Sequence, residues 1–175
     1  MLEKLKRMRD WILNKTPELK HLSMSDALLA KIVIDIKREA TGHEFVSVPL
    51  YSLASIHPIN RDTAVEKVNL RIKAIEEHKE SLISARHITN EALKEIMPSV
   101  SPIQVIRFED GYIAFEGNGR LVALQSALRG DRGIGGDGFT VEVEEYKIPA
   151  DSKIPADIIK LQEMFDALHN SPQAV

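Results

Sequence analysis

The sequence predicts an α+β fold in which a small mixed sheet is flanked by helices. Apolar residues recur at helical spacing in several separate segments, and alternating apolar and polar residues mark short strands between them. Asp110-Gly111 lies between two apolar runs and predicts a hairpin, which makes part of the sheet antiparallel. The predicted order is two helices, a strand, one or two helices, a hairpin, a helix, a strand and a helix. This order argues against a doubly wound parallel sheet.

Residues 1–43 are predicted to form a helical N-terminal extension. The first helix spans residues 2–14, where one stripe is apolar and the opposite surface is basic. The second spans about residues 25–40, with Ser23 or Ser25 as a candidate N-cap and Gly42 just beyond the last turn. The basic surface of the first helix is a candidate contact for DNA or for a protein partner. The alternative is a surface helix that packs only on its own domain.

Residues 44–170 are predicted to form the main domain, and residues 171–175 a disordered tail. The predicted strands cover residues 45–49, 103–108, 112–116 and 140–148. The predicted helices cover residues 62–78, parts of 81–96, the segment after Gly119 and residues 157–169. Residues 129–138 contain five glycines and are predicted to form a loop that is a candidate lid.

Composition excludes several kinds of site. The chain has no cysteine, which excludes disulfides, thiol nucleophiles and cysteine-ligated metals. Its net charge of −3 excludes a wholesale basic footprint for nucleic acid. No zinc or iron ligand spacing is present, so no metal ligands are predicted. Without an apolar run of ~18 residues or a signal-peptide core, we expect no membrane span and a cytoplasmic location.

The stretch around Gly117 is the strongest candidate for a functional site. A strand leads to Gly117 and Gly119, and apolar residues at helical spacing follow directly. A helix that begins at such a turn presents free N–H groups and partial positive charge to an anion. Arg120 in the first turn adds a planar set of donors that suits phosphate. Glu116 would repel phosphate unless it holds a metal or accepts a proton from a substrate, so it is a candidate catalytic residue, the alternative being a salt bridge.

Three segments in order extend this prediction to a family. VSVPLYSL, the turn HPIN and SPIQVIRFEDGYIAFEGNGRLVAL resemble the ParB N-terminal/sulfiredoxin superfamily over residues 45–128, about half of the chain. Members of that superfamily carry a V-P-L-x-x-L strand, a P-I-x-V strand, a hairpin and a G-x-x-R turn that opens a helix. The resemblance implies a ParB/sulfiredoxin-like sheet whose G-x-x-R turn binds nucleotide phosphates.

The resemblance also implies a set of site residues. The phosphate-binding turn would consist of Gly117, Asn118, Gly119 and Arg120. Lys67 lies where sulfiredoxins have a nucleotide-contacting lysine, and the turn from His57 to Arg61 would line the same cleft. The implied cofactor is ATP or CTP with Mg²⁺.

Two positions depart from the superfamily pattern. Asn118 replaces the sulfiredoxin cysteine, which excludes sulfinic acid reduction, and Gly119 replaces a frequent histidine. No helix-turn-helix pattern follows residue 128. Three functions stay open: a nucleotide switch or phosphoryl-transfer or hydrolysis enzyme, a DNA-directed nuclease or plasmid-transfer (fertility) inhibitor, and a catalytically degenerate protein-interaction scaffold.

Overall fold

The computed structural model describes residues 2–15, 23–131 and 138–170. The helices are α1 (Leu2–Lys15), α2 (Met24–Glu39), α3 (Asp62–Glu77), α4 (Lys79–Ala85), α5 (Asn90–Ile96), α6 (Asn118–Ala127) and α7 (Ile154–Asn170). The strands are β1 (Gly42–Pro49), β2 (Leu53–Ser55), β3 (His87–Ile88), β4 (Gln104–Phe108), β5 (Gly111–Glu116) and β6 (Thr140–Lys147). Helices therefore flank a mixed sheet, and the predicted α+β class is confirmed.

The described residues form two compact units. One is drawn from Met1–Glu39 and Pro149–Val175, and the other is Ala40–Ile148. The sequence predicted a main domain over residues 44–170, whereas here the segment after Ile148 groups with the N-terminal helices. The reason is that α7 packs against α2. An amphipathic pattern shows that a helix has a partner but does not show which partner it has. The predicted tail, 171–175, lies outside the described residues.

The helical unit is held by apolar contacts and by a group of ion pairs. Buried apolar side chains of α2 and α7 form its interior: Leu28, Ile32, Ile36, Ile154, Ile158 and Leu161. The Lys31 ammonium group bridges two largely buried carboxylates, at 2.6 Å from Asp35 and 2.7 Å from Asp157. Of the two candidate caps, Ser23 is the one that caps α2, by accepting the backbone N–H of Asp26 at 3.1 Å.

The second unit is built on a mixed sheet with the strand order β1-β6-β4-β5-β2, and β3 also pairs with β6. β4 and β5 form the predicted antiparallel hairpin, and β1 runs antiparallel to β6. β2 is parallel to β5, which places the end of β2 beside the end of β5. This pairing positions the loop after β2 next to the turn that follows β5.

Helices α3 and α6 pack on each other and cover one face of the sheet. Val68 and Ile75 of α3 and Leu121 and Leu124 of α6 belong to the same buried cluster as Val105. Burial of apolar surface stabilises this arrangement by about 25 cal/mol per Å² removed from water. The packing fixes the N-terminal turn of α6 against the middle of α3.

Two local predictions differ from the structure. Gly42 was expected just beyond the end of α2, but it begins β1 and has an ordinary negative φ, so no left-handed cap forms there. Only residues 129–131 and 138 of the predicted 129–138 loop are described, and Arg129–Asp131 form a 3-10 turn. The rest of that candidate lid lies outside the described residues.

Candidate functional site

The turn between β5 and α6 exposes the first backbone N–H groups of α6. Gly117 has φ of +82°, a left-handed conformation that glycine adopts without strain. Its carbonyl oxygen accepts the N–H groups of Arg120 and Leu121, both at 3.0 Å. The N–H groups of Asn118 and Gly119 precede these and have no intrahelical acceptor, as at every helix start. The turn therefore presents donors and the positive end of the helix dipole to the cleft in front of it.

Asn118 connects this turn to β2. Its side chain is 7% exposed, and its Oδ1 accepts the backbone N–H of Ile56 at 3.3 Å and lies 2.7 Å from the hydroxyl of Ser55. The side-chain oxygen is thus used inside the fold. The resemblance predicts Asn118 in a phosphate-binding turn, and at this helix start its backbone N–H has no intrahelical acceptor.

Arg120 lies at the base of the cleft with only 3% of its surface exposed. Its Nη2 donates to the carbonyl oxygen of Pro102 at 3.1 Å. Burial lowers the pKa of the Arg120 guanidinium from its ordinary value, the nearby Glu116 carboxylate raises it, and the Arg71 guanidinium lowers it further. A second anion close to both guanidinium groups would relieve their repulsion.

Helix α3 supplies two more cations, Lys67 and Arg71, which are one helical turn apart and line the same cleft. The Nη1 of Arg71 lies directly against Gly119. Within the described part of the chain, no ion pair joins Lys67 or Arg71 to a carboxylate. Sequence analysis missed Arg71. Its spacing of four residues from Lys67 was the signal that would have revealed it.

The cleft has a volume of about 290 Å³ and lies within the sheet unit. Of the predicted site residues, it brings together His57, Lys67, Glu116, Gly117, Asn118, Gly119 and Arg120. Arg61 does not line it. Arg61 instead occupies the N-cap position of α3 with an exposed side chain. The His57 Nδ1 lies 3.0 Å from the carbonyl oxygen of Pro58, so the ring is held within its own turn.

Glu116 is the single carboxylate among the described residues that line the cleft. Its side chain is exposed, and its Oε1 lies 3.5 Å from the hydroxyl of Ser101. Lys67, Arg71 and Arg120 outnumber it, and the α6 dipole adds to their positive potential. The cleft is therefore electrostatically suited to an anion that carries more than one charge.

No three histidine or acidic side chains in residues 2–15, 23–131 and 138–170 are grouped so that they could hold a metal ion. None of the helices described in these ranges combines the length and low polarity needed to cross a membrane. The chain matches no protein-family profile, no curated protein and no solved structure. The cleft's geometry and charge must therefore carry any functional conclusion.

Proposed function

We propose that this protein binds the phosphate groups of a nucleoside triphosphate, ATP or CTP, in the cleft between α3 and the β5–α6 turn. The observation that carries the proposal is that Lys67 and Arg71 line the same cleft as the N-terminus of α6 and have no carboxylate partner among the described residues. Bringing like charges together costs free energy, and a bound polyanion offsets that cost.

The cleft offers three kinds of hydrogen-bond donor to a phosphate group. Backbone N–H groups of Asn118 and Gly119 suit a phosphate at the helix start. The guanidinium of Arg71 can donate two parallel hydrogen bonds, whereas Lys67 acts as a mobile point charge. A volume of about 290 Å³ is at the lower end of ligand pockets. In this proposal the triphosphate chain fills the cleft, and the base lies at its mouth.

Glu116 gives this site a possible chemistry beyond binding. Mg²⁺ is usually held by one or two carboxylates together with substrate phosphates, and Glu116 meets that minimal requirement. Such an ion would neutralise charge on the phosphates. If it does not hold an ion, the Glu116 carboxylate would accept a proton from an attacking hydroxyl. Phosphoryl transfer needs mainly positioning and charge stabilisation, so the cleft supports hydrolysis or transfer as well as a binding switch.

A thermal-shift experiment with matched variants tests the proposal. Ligand at 100 times its Kd should stabilise the protein by about 2.7 kcal/mol. We expect ATP or CTP with Mg²⁺ to raise the Tm of the wild type and of Lys73→Ala. Lys73 is an exposed lysine of α3 that does not line the cleft. Because we expect its binding to be at least about tenfold weaker, Arg71→Ala should lose about half of that stabilisation or more.

Two results would contradict the proposal. One is the absence of a Tm shift with either nucleotide. The other is a shift in Arg71→Ala as large as that in Lys73→Ala, because binding would then not depend on the cleft.

A further inference from the structure

We infer that Arg71 is the side chain that grips the anion and that Gly119 is its positioning residue, which makes room for the guanidinium over the first turn of α6. This inference rests on the proposed phosphate binding. It assigns the specific contact to a residue of α3 rather than to Arg120.

The surroundings of Gly119 show why a glycine is there. A Cβ built on Gly119 would collide with Nη1 of Arg71. The next nearest atoms are Cζ of Arg71 at 3.6 Å and Cγ2 of Val68 at 3.7 Å, which are ordinary contacts. The φ of Gly119 is not positive, so its backbone does not require glycine. Of the described atoms nearest to this Cβ, the one that it would collide with is Nη1 of Arg71.

The position of Arg71 has a chemical consequence. Gly119 has no side-chain donor, and Arg71 supplies one from α3 at the same place. The guanidinium and the free N–H groups of α6 lie beside each other, so one phosphate can accept from both. Arg120 is only 3% exposed, and its guanidinium donates a hydrogen bond to the carbonyl oxygen of Pro102. We therefore assign it a structural role in the turn. A Cβ at position 119 would push Arg71 away while the rest of the turn stays in place.

A double-mutant cycle tests the inference, with pyrophosphate and ATP as probes in isothermal titration calorimetry of the full chain. We expect Gly119→Ala and Arg71→Ala each to weaken binding at least about tenfold, the loss of a charge-assisted hydrogen bond. The double variant should bind no more weakly than Arg71→Ala alone. Arg71→Lys should also weaken binding, because it keeps the charge and loses the planar fork.

The Tm of Gly119→Ala and the affinity of a control variant show whether the substitution displaces Arg71 or damages the fold. Gly119→Ala should keep or raise the Tm, since alanine favours a helix over glycine. Gly42→Ala, outside the cleft lining, should leave the affinity unchanged, because its Cβ meets no atom within 4 Å.

The possible failures are distinguishable. If the wild type binds but Gly119→Ala binds equally well, lowers the Tm, or adds its loss to that of Arg71→Ala, the inference is wrong and the proposed function stands. If the wild type binds neither probe, both are wrong.

Discussion

At the scale of single residues, the basic side chains differ in whether a carboxylate accompanies them. Lys31 contacts two carboxylates, Lys79 lies 3.1 Å from Asp131, and the Nζ of Lys147 is 2.6 Å from Glu145. Lys67 and Arg71 have no such partner among the described residues. The sequence could not reveal this difference, because a partner such as Asp157 for Lys31 comes from a distant part of the chain. Local pattern places a lysine on a helix face without showing what it faces.

Lys31 provides a stability prediction at this scale. Replacing it with methionine removes the cation that Asp157 and Asp35, both largely buried, share, although Asp35 keeps Arg38 at 2.7 Å. We expect the free energy of unfolding to fall by about 2 kcal/mol, less than for a fully buried pair because the Lys31 side chain is one-third exposed. Urea denaturation measures the change, and Lys6→Met, at an exposed position of α1, is the matched control. Equal stability of both variants would contradict the role of the ion pairs.

Lys31 also determines how the free energy of unfolding changes with pH. Burial alone would lower the pKa of Lys31, but hydrogen bonds to Asp157 and Asp35 outweigh it and raise the pKa above the ordinary 10.5. The pair therefore contributes its full stability below pH 10.5 and loses it as pH rises through the raised pKa. In the urea series, this alkaline loss should be larger in the wild type than in Lys31→Met, which keeps the raised pKa values of Lys79 and Lys147.

At the scale of elements, the β5–α6 turn was predictable because its signals are local. An apolar strand, two glycines and a helical repeat adjoin in sequence, and the structure has β5 end at Glu116 and α6 begin at Asn118. The sequence does not distinguish the two glycines, but each is required for a different structural reason. Gly117 has a backbone that needs glycine, and Gly119 makes space for Arg71. Only the position of α3 reveals the second reason.

Gly117→Ala should therefore damage the fold. Its Cβ would lie 3.1 Å from Cα of Ile103 and 2.8 Å from Nη2 of Arg120, in a left-handed conformation. We expect a loss of about 2 kcal/mol in the free energy of unfolding, measured in urea, since the left-handed backbone alone costs roughly 1–2 kcal/mol. Gly130→Ala, in open space, should be close to neutral. A Gly117→Ala variant as stable as Gly130→Ala would contradict the turn geometry.

The site residues of α3 and of the turn before it were predicted only in part from the sequence. The resemblance alone predicts Lys67 as a site residue, and the helical repeat adds Arg71 one turn later. Arg61, predicted in the site, lies at the start of α3 and outside the cleft lining. A turn residue's direction depends on how the following helix packs, which the sequence of the turn does not encode.

At the scale of the whole molecule, the α+β class was predicted from the spacing of apolar residues and from the Asp110-Gly111 hairpin, and the structure confirms it. The strands β2 and β3, with three and two residues, are too short to show alternation and were missed. β2 nevertheless matters for the site, because its parallel pairing with β5 brings Ser55 and Ile56 to Asn118. The assignment of α7 to the helical unit likewise depends on long-range packing.

The central claim is that the cleft recognises phosphate groups. Calorimetric titration of the full chain with ATP and CTP in Mg²⁺, beside adenosine and cytidine, tests it most directly. We expect at least one triphosphate to bind, its nucleoside not to bind, and added salt to weaken the binding. A nucleoside that binds as tightly as its triphosphate, or no binding by either triphosphate, would contradict it.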